Sequence, residues 1–184
     1  IIFSLSDNVS IDFQFTYSTI NNTADNASDF GLINRTLTFP AMTSTVSDNI
    51  SINNDNIIED NESFFVRLDN SSNSNIFLGP QATVTINNDD NATVTVDNLS
   101  VTENAGVATI TLKLSDNVSS PVTVGFSTLD QAADNGSGND YLALSKIITF
   151  PAMTTLVQDN ITINNDNIIE DNESFFVRLD NSSN

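Results

Sequence analysis

The chain has no cysteine, no histidine and no tryptophan, and only 5 of its 184 residues are basic against 24 acidic ones. Each absence removes a class of chemistry. Without Cys or His there is no zinc site of the usual kind, no imidazole-assisted nucleophile, no haem ligation by either residue and no disulfide. The scarcity of Lys and Arg leaves a formal net charge of −19. Such a charge repels nucleic acid and anionic membrane surfaces, so no nucleic-acid partner is expected. Long apolar runs are also missing. Ile1-Ile2-Phe3 falls far short of the roughly 18 residues that a membrane span requires. With no Trp and two Tyr there is little to line a sugar cleft. The loop carboxylates Glu59 and Glu62 are therefore not read as a glycosidase pair, and no enzymatic activity is expected.

What is present is strand chemistry. Apolar residues reach 39%, including 12 Phe, which is enough for packed cores. Asn (28), Ser (22) and Thr (20) fill much of the remainder, while the helix formers Lys, Arg, Gln and Glu are scarce. The runs Ala82–Ile86, Ala92–Val96, Ala108–Leu114 and Phe64–Leu68 alternate apolar and polar residues. Period two is the signature of a half-buried strand. Asn, Asp, Ser and Gly clusters between the runs supply turn chemistry. In the strand at Phe64–Leu68, Phe64, Val66 and Leu68 are expected to face inward and Phe65 outward.

The chain repeats itself. Ile52–Asn73 and Ile163–Asn184 are identical over 22 residues, at an offset of 111. Thr38–Thr43 recurs at Thr149–Thr154 with the same offset, and Leu5–Ser10 recurs at Leu114–Ser119 with an offset of 109. The two extra residues fall in the Gly-containing loop Gly136-Ser137-Gly138-Asn139, which marks an exposed tip. Residues 92–109 have no partner at the front of the first repeat, and residues 74–90 have none after the second. The reading is an all-β chain of two tandem antiparallel β-sandwich modules of immunoglobulin-like type, each truncated at one end. Residues 1–90 form a repeat lacking its first strand, and residues 91–184 a repeat lacking its last. The chain is expected to be a piece of a longer protein.

The acidic residues cluster. Asp55, Glu59, Asp60 and Glu62 crowd one turn, and Asp166, Glu170, Asp171 and Glu173 repeat it. Asp89 and Asp90 end a strand run, Asp29 and Asp140 each precede an aromatic residue, and Glu103 follows another strand. Crowded carboxylates are electrostatically costly unless neutralised. Calcium, which takes six to eight oxygens in flexible geometry, neutralises them better than magnesium, which demands a tight octahedron. Charge runs in loops are also ordinary solvated faces, so composition alone leaves both readings open. Asp25–Phe30 starts like an EF-hand loop but lacks Gly at its sixth position and the closing Glu.

The order of motifs resembles the Calx-beta domain, found in sodium–calcium exchangers, integrin beta-4 and large bacterial surface proteins. The opening strand carries Val101-Thr102-Glu103-Asn104-Ala105-Gly106, followed by Asn139-Asp140-Tyr141 and Ile148-Thr149-Phe150-Pro151-Ala152. Next comes the segment from Ile163 through Glu170 and Glu173 to Leu179. The closing pattern is Ala82–Ile86 followed by Asn87-Asn88-Asp89-Asp90. The resemblance implies calcium ligands at the loop tips of one end of each sandwich. These would be Asp29, Asp55, Glu59, Glu62, Asp89 and Asp90 in the first repeat, and Glu103, Asp140, Asp166, Glu170 and Glu173 in the second. Asn53 and Asn54 stand where the family often has Asp, which lowers site charge and implies affinities of roughly 10⁻⁴–10⁻³ M. The implied role is a structural or adhesive module of a large extracellular or cell-surface protein. Calcium would rigidify loop tips and module junctions there, and the implied partners are calcium ions, neighbouring repeats and a cell-surface or matrix ligand. A metal-free spacer of the same fold and a regulatory calcium sensor of a membrane transporter are the alternatives.

Overall fold

The computed structural model describes residues 1–135 and 140–182. The extra loop of the second repeat, residues 136–139, lies outside them. Two compact units are present: residues 1–55 with 60–88, and residues 56–59 with 89–184.

In the first unit the strands are β1 (Ile2–Ser4), β2 (Phe13–Asn21), β3 (Asn34–Phe39), β4 (Thr45–Ser47), β5 (Glu62–Ser71) and β6 (Ala82–Ile86). One sheet runs β3-β2-β5-β6 and the other β1-β4, all antiparallel. The alternation in β2 buries Phe13, Phe15, Tyr17 and Thr19 and leaves the residues between them towards solvent. Phe3 on the small sheet meets Phe15 at 4.9 Å and Tyr17 at 4.8 Å between ring centroids, which closes the sandwich. Phe64 and Val66 on β5 are buried and Leu68 packs against the same core. Phe65 stands on the other face.

The second unit contains β7 (Val94–Val96), β8 (Val107–Leu114), β9 (Val122–Leu129), β10 (Ser145–Phe150), β11 (Leu156–Thr162) and β12 (Phe176–Ser182). Its sheets run β11-β8-β7 and β10-β9-β12, again antiparallel. Both units follow one plan. The first has β6 beside β5, and among the described residues nothing stands at that place beside β12. The second has β7 beside β8, and among the described residues nothing stands at that place beside β1. Their cores differ in chemistry: Phe3, Phe13 and Phe15 of the first correspond to Leu112, Val122 and Val124 of the second, all buried. Among the described residues no helix is long and apolar enough to cross a membrane.

Candidate metal centre

Asp29 ends the loop after β2. Its backbone is fixed on both sides: its amide donates to the Asp25 carbonyl (2.8 Å), and its own carbonyl accepts from the Asn53 amide (2.9 Å). Its carboxylate accepts from the Asp25 amide at 2.6 Å. Asp25 is itself locked by an Asx turn in which the Ala27 amide donates to Asp25 Oδ1 at 2.7 Å. Glu62 opens β5, and Glu59 lies three residues ahead of it. Asp29, Glu59 and Glu62 each present a carboxylate oxygen, all within 4.8 Å of one another. Among the described residues this is the one such group.

Burial pushes the Asp29 carboxyl up, but hydrogen bonds from the Asp25 amide and Ser28 and one shared with Glu62 outweigh it and hold the carboxyl below its usual value.

In the second repeat the expected acidic residues act on one another through their charge, but among the described residues no three of them converge as Asp29, Glu59 and Glu62 do. Glu103 sits in a single 3-10 turn, Glu103–Ala105, ended by Gly106 in the left-handed region (φ 71°) that glycine occupies without strain. The Asp166 amide donates to Glu103 Oε1 at 3.3 Å. Loss of surrounding water, then the charges of Asp166, Asp140 and Glu103, raise the Glu170 carboxyl above its usual value. Glu173 is raised in the same way, by loss of water, by Asp140 and then by Glu170 and Asp134. Both groups are exposed, so the loss of water is that of a crowded tip, and like charge adds to it.

Not every expected residue joins a group. Asp55 is exposed in the loop before Glu59, with its carbonyl accepting from Asn54 Nδ2 at 3.1 Å, and it is not among the three converging carboxylates. Asp89 and Asp90 follow β6 as the first residues of the 89–184 stretch, and they too stand outside that group. Two residues escaped the sequence reading. Asp25 and Asp134 each donate a backbone amide to the next acidic residue of the tip, Asp25 to Asp29 and Asp134 to Asp140 at 2.8 Å. The signal was an Asp preceding Asp29 and Asp140 in both repeats. Its unequal spacing, caused by the two-residue insertion, concealed it.

All five Lys and Arg residues of the chain are paired elsewhere: Arg35 with Asp48, Arg67 with Asp69, Lys113 with Asp97, Lys146 with Asp159 and Arg178 with Asp180.

The family model of the Calx-beta domain matches the chain twice, over residues 2–90 and 88–184. No curated protein matches it in sequence. Among solved structures, the chain is similar to the calcium binding domain CBD12 of CALX1.1, with 21% identity and a TM-score of 0.48 over 99% of this chain and 73% of that one. It is also similar to CBD12 from CALX1.2, with 23% identity and a TM-score of 0.46 over 98% and 74% of the two chains. A third is the apo-form Calx CBD1 domain, with 26% identity and a TM-score of 0.41 over 44% of this chain and 70% of that one.

Proposed function

The chain belongs to the Calx-beta domain family as two consecutive repeats, and from that premise we propose that it is a calcium-binding structural repeat of a large extracellular or cell-surface protein. The observation that carries this reading is the convergence of Asp29, Glu59 and Glu62 in a chain whose every basic side chain is engaged elsewhere. The donors are all hard oxygens on loop and strand-end positions. That set suits calcium, which tolerates flexible geometry, better than magnesium. Asp29 and Glu62 would hold the ion from elements of fixed backbone, with Glu59 closing on it from the loop. In the second repeat Glu103, Asp140, Asp166, Glu170 and Glu173 would do the same. A bound ion replaces mutual repulsion with shared attraction, so it stiffens the tips. Stiff tips suit modules that transmit force or present a surface to a cell-surface or matrix ligand.

A metal-free spacer is the second reading, and the exposure of Glu103, Asp166, Glu170 and Glu173 is what favours it, because solvated carboxylates need no ion to neutralise them. Calorimetric titration decides between them. Calcium binding with Kd toward the millimolar range, lost from the first repeat in the double variant Asp29→Asn with Glu62→Gln, supports the surface module. Sub-micromolar affinity would point to a regulatory sensor instead. Absence of binding heat, with identical melting in millimolar calcium and in EDTA, would leave only the spacer. At free calcium about a hundredfold above Kd, one site adds roughly 2.7 kcal/mol of stability.

A further inference from the structure

The stretch 56–59 has a partner that its sequence does not announce. Within the second unit, the Ile58 amide donates to the Asn117 carbonyl at 3.0 Å, and the Ser119 amide donates to the Ile58 carbonyl at 2.9 Å. This is a one-residue parallel bridge between Ile58 and Val118. The Ile58 side chain packs against the second unit's core, and Val118 beneath it is 3% exposed.

Both halves of this contact occur a second time in the chain, and there they stand apart. The loop recurs identically as Asn167-Ile168-Ile169-Glu170, with Ile168 63% and Ile169 100% exposed. The receiving turn recurs identically as Leu5–Ser10, in which Val9 is only half-buried and Asn8 and Ser10 are exposed. That turn is already in receiving shape. The Met42 amide donates to the Val9 carbonyl at 2.8 Å, as the Met153 amide does to Val118 at 2.8 Å. The two methionines adopt the same left-handed backbone, with φ of 61° and 57°. The Val9 carbonyl is thereby occupied, as the Val118 carbonyl is. The Asn8 carbonyl and the Ser10 amide meet no backbone partner among the described residues. These are the two groups that Ile58 satisfies at Asn117 and Ser119.

We infer that the Ile168-Ile169 loop of one molecule docks onto the Asn8-Val9-Ser10 turn of a second copy of this chain, head to tail, by the bridge that Ile58 makes with Val118. The Ile169 amide would donate to the Asn8 carbonyl and the Ser10 amide to the Ile169 carbonyl. The contact is heterologous, so it propagates as open strings of molecules and does not close a dimer. Two hydrogen bonds and two isoleucines fall well below the roughly 1,000 Å² of a stable interface, so the association is weak and concentration-dependent. Acidic residues flank both halves, Asp166, Glu170 and Asp171 on the loop and Asp7 and Asp12 around the turn. Salt that screens them strengthens it.

Sedimentation equilibrium on the 184-residue chain tests this in EDTA, which keeps metal binding out of the result. With added salt and protein up to about 1 mM, the weight-average mass is expected to rise above the monomer. Ile169→Asp is expected to move that rise to at least about tenfold higher concentration. Because Ile169 is fully exposed, the variant keeps its fold. In parallel, a peptide of residues 164–172 is expected to shift the Ser10 amide resonance of the chain, and the same peptide carrying the Ile169→Asp change is not. A monomer at every concentration, or equal association of wild type and Ile169→Asp, overturns the inference, as does a Ser10 amide indifferent to both peptides.

Discussion

Phe30 and Phe64 lie face to face, with ring centroids 4.1 Å apart and planes inclined by 13°. Both rings are fully buried. Phe30 directly follows Asp29, and Phe64 lies two residues beyond Glu62 on β5, where period two puts both side chains on one face. The stack therefore anchors two of the three carboxylates to the core. The second repeat builds the same device from Tyr141 and Phe175, at 4.0 Å and 15°, beside Asp140 and Glu173.

Phe64→Leu keeps an apolar side chain but removes the stack. It should destabilise the first unit by about 1–2 kcal/mol and weaken calcium binding there. Denaturant unfolding and calcium titration of the same protein check both. Full destabilisation with unchanged calcium affinity would show that the rings do not position the carboxylates.

Glu59→Gln keeps the size and one carbonyl oxygen but loses a charge and bidentate capacity. Calcium affinity of the first repeat should fall about tenfold or more, in line with the charge dependence of such sites. Asp12→Asn is the control: Asp12 Oδ1 accepts from the Ala41 amide at 2.7 Å, an acceptor role that Asn retains. Equal losses in the two variants would mean diffuse attraction of the ion with no defined site.

Glu173 gives a prediction whose sign depends on pH and metal. Its carboxyl is raised in the folded state, so its contribution to stability is full below the usual glutamate value and is lost as pH rises through the raised one. In EDTA, Glu173→Gln should raise the melting temperature at pH 7 and make little difference near pH 4. In saturating calcium at pH 7 the same variant should melt lower than wild type, because a ligand has gone. A variant that melts higher in both media would remove Glu173 from the metal centre.

Tyr17 and Phe126 occupy equivalent places in the two repeats, facing Arg35 and Lys146 across their sheets. The Tyr17 hydroxyl donates to Asp48 Oδ2 at 2.6 Å, and Arg35 pairs with the same carboxylate. In the second repeat Asp159 pairs with Lys146, but its buried Oδ2 accepts no hydroxyl because Phe126 has none to offer. Tyr17→Phe should destabilise the first unit, and Phe126→Tyr should stabilise the second, each by about 0.5–1.5 kcal/mol. Burial and then the Asp48 bond push Tyr17 up to about 12. Its stabilisation is therefore intact below pH 10 and lost as pH rises from there through about 12. Unfolding curves across that range should lose this alkaline step in Tyr17→Phe. If the step persists, the hydroxyl is not its source.

Most of the strand pattern was legible because period two is a local property. The alternation of Ala108, Ile110 and Leu112, or of Phe64 and Val66, specifies which face is buried before any partner is known. The crowding of like charge at Asp166, Glu170 and Glu173 was legible because these residues lie within the repeated segment. Asp25 and Asp134 were not, since their role is a backbone amide aimed across a loop whose length differs between repeats. The Tyr17–Asp48–Arg35 group was hidden for a related reason: its members come from β2, β3 and the residue after β4, and only sheet pairing brings them together.

By itself, the sequence determined the all-β class, the repeat, the inward-facing residues and the net negative charge, because each depends on composition or on spacing of a few residues. Tertiary structure alone decided what identical segments become. Residues 52–73 and 163–184 are the same 22 letters, yet Ile58 is packed on Val118 while Ile169 is bare. Phe64, on a strand that β6 pairs with, is fully buried, and Phe175 only partly so. Identical local preferences cannot produce different burial. The difference comes from which distant strand or turn lies alongside each segment, and that is a property of the packed chain.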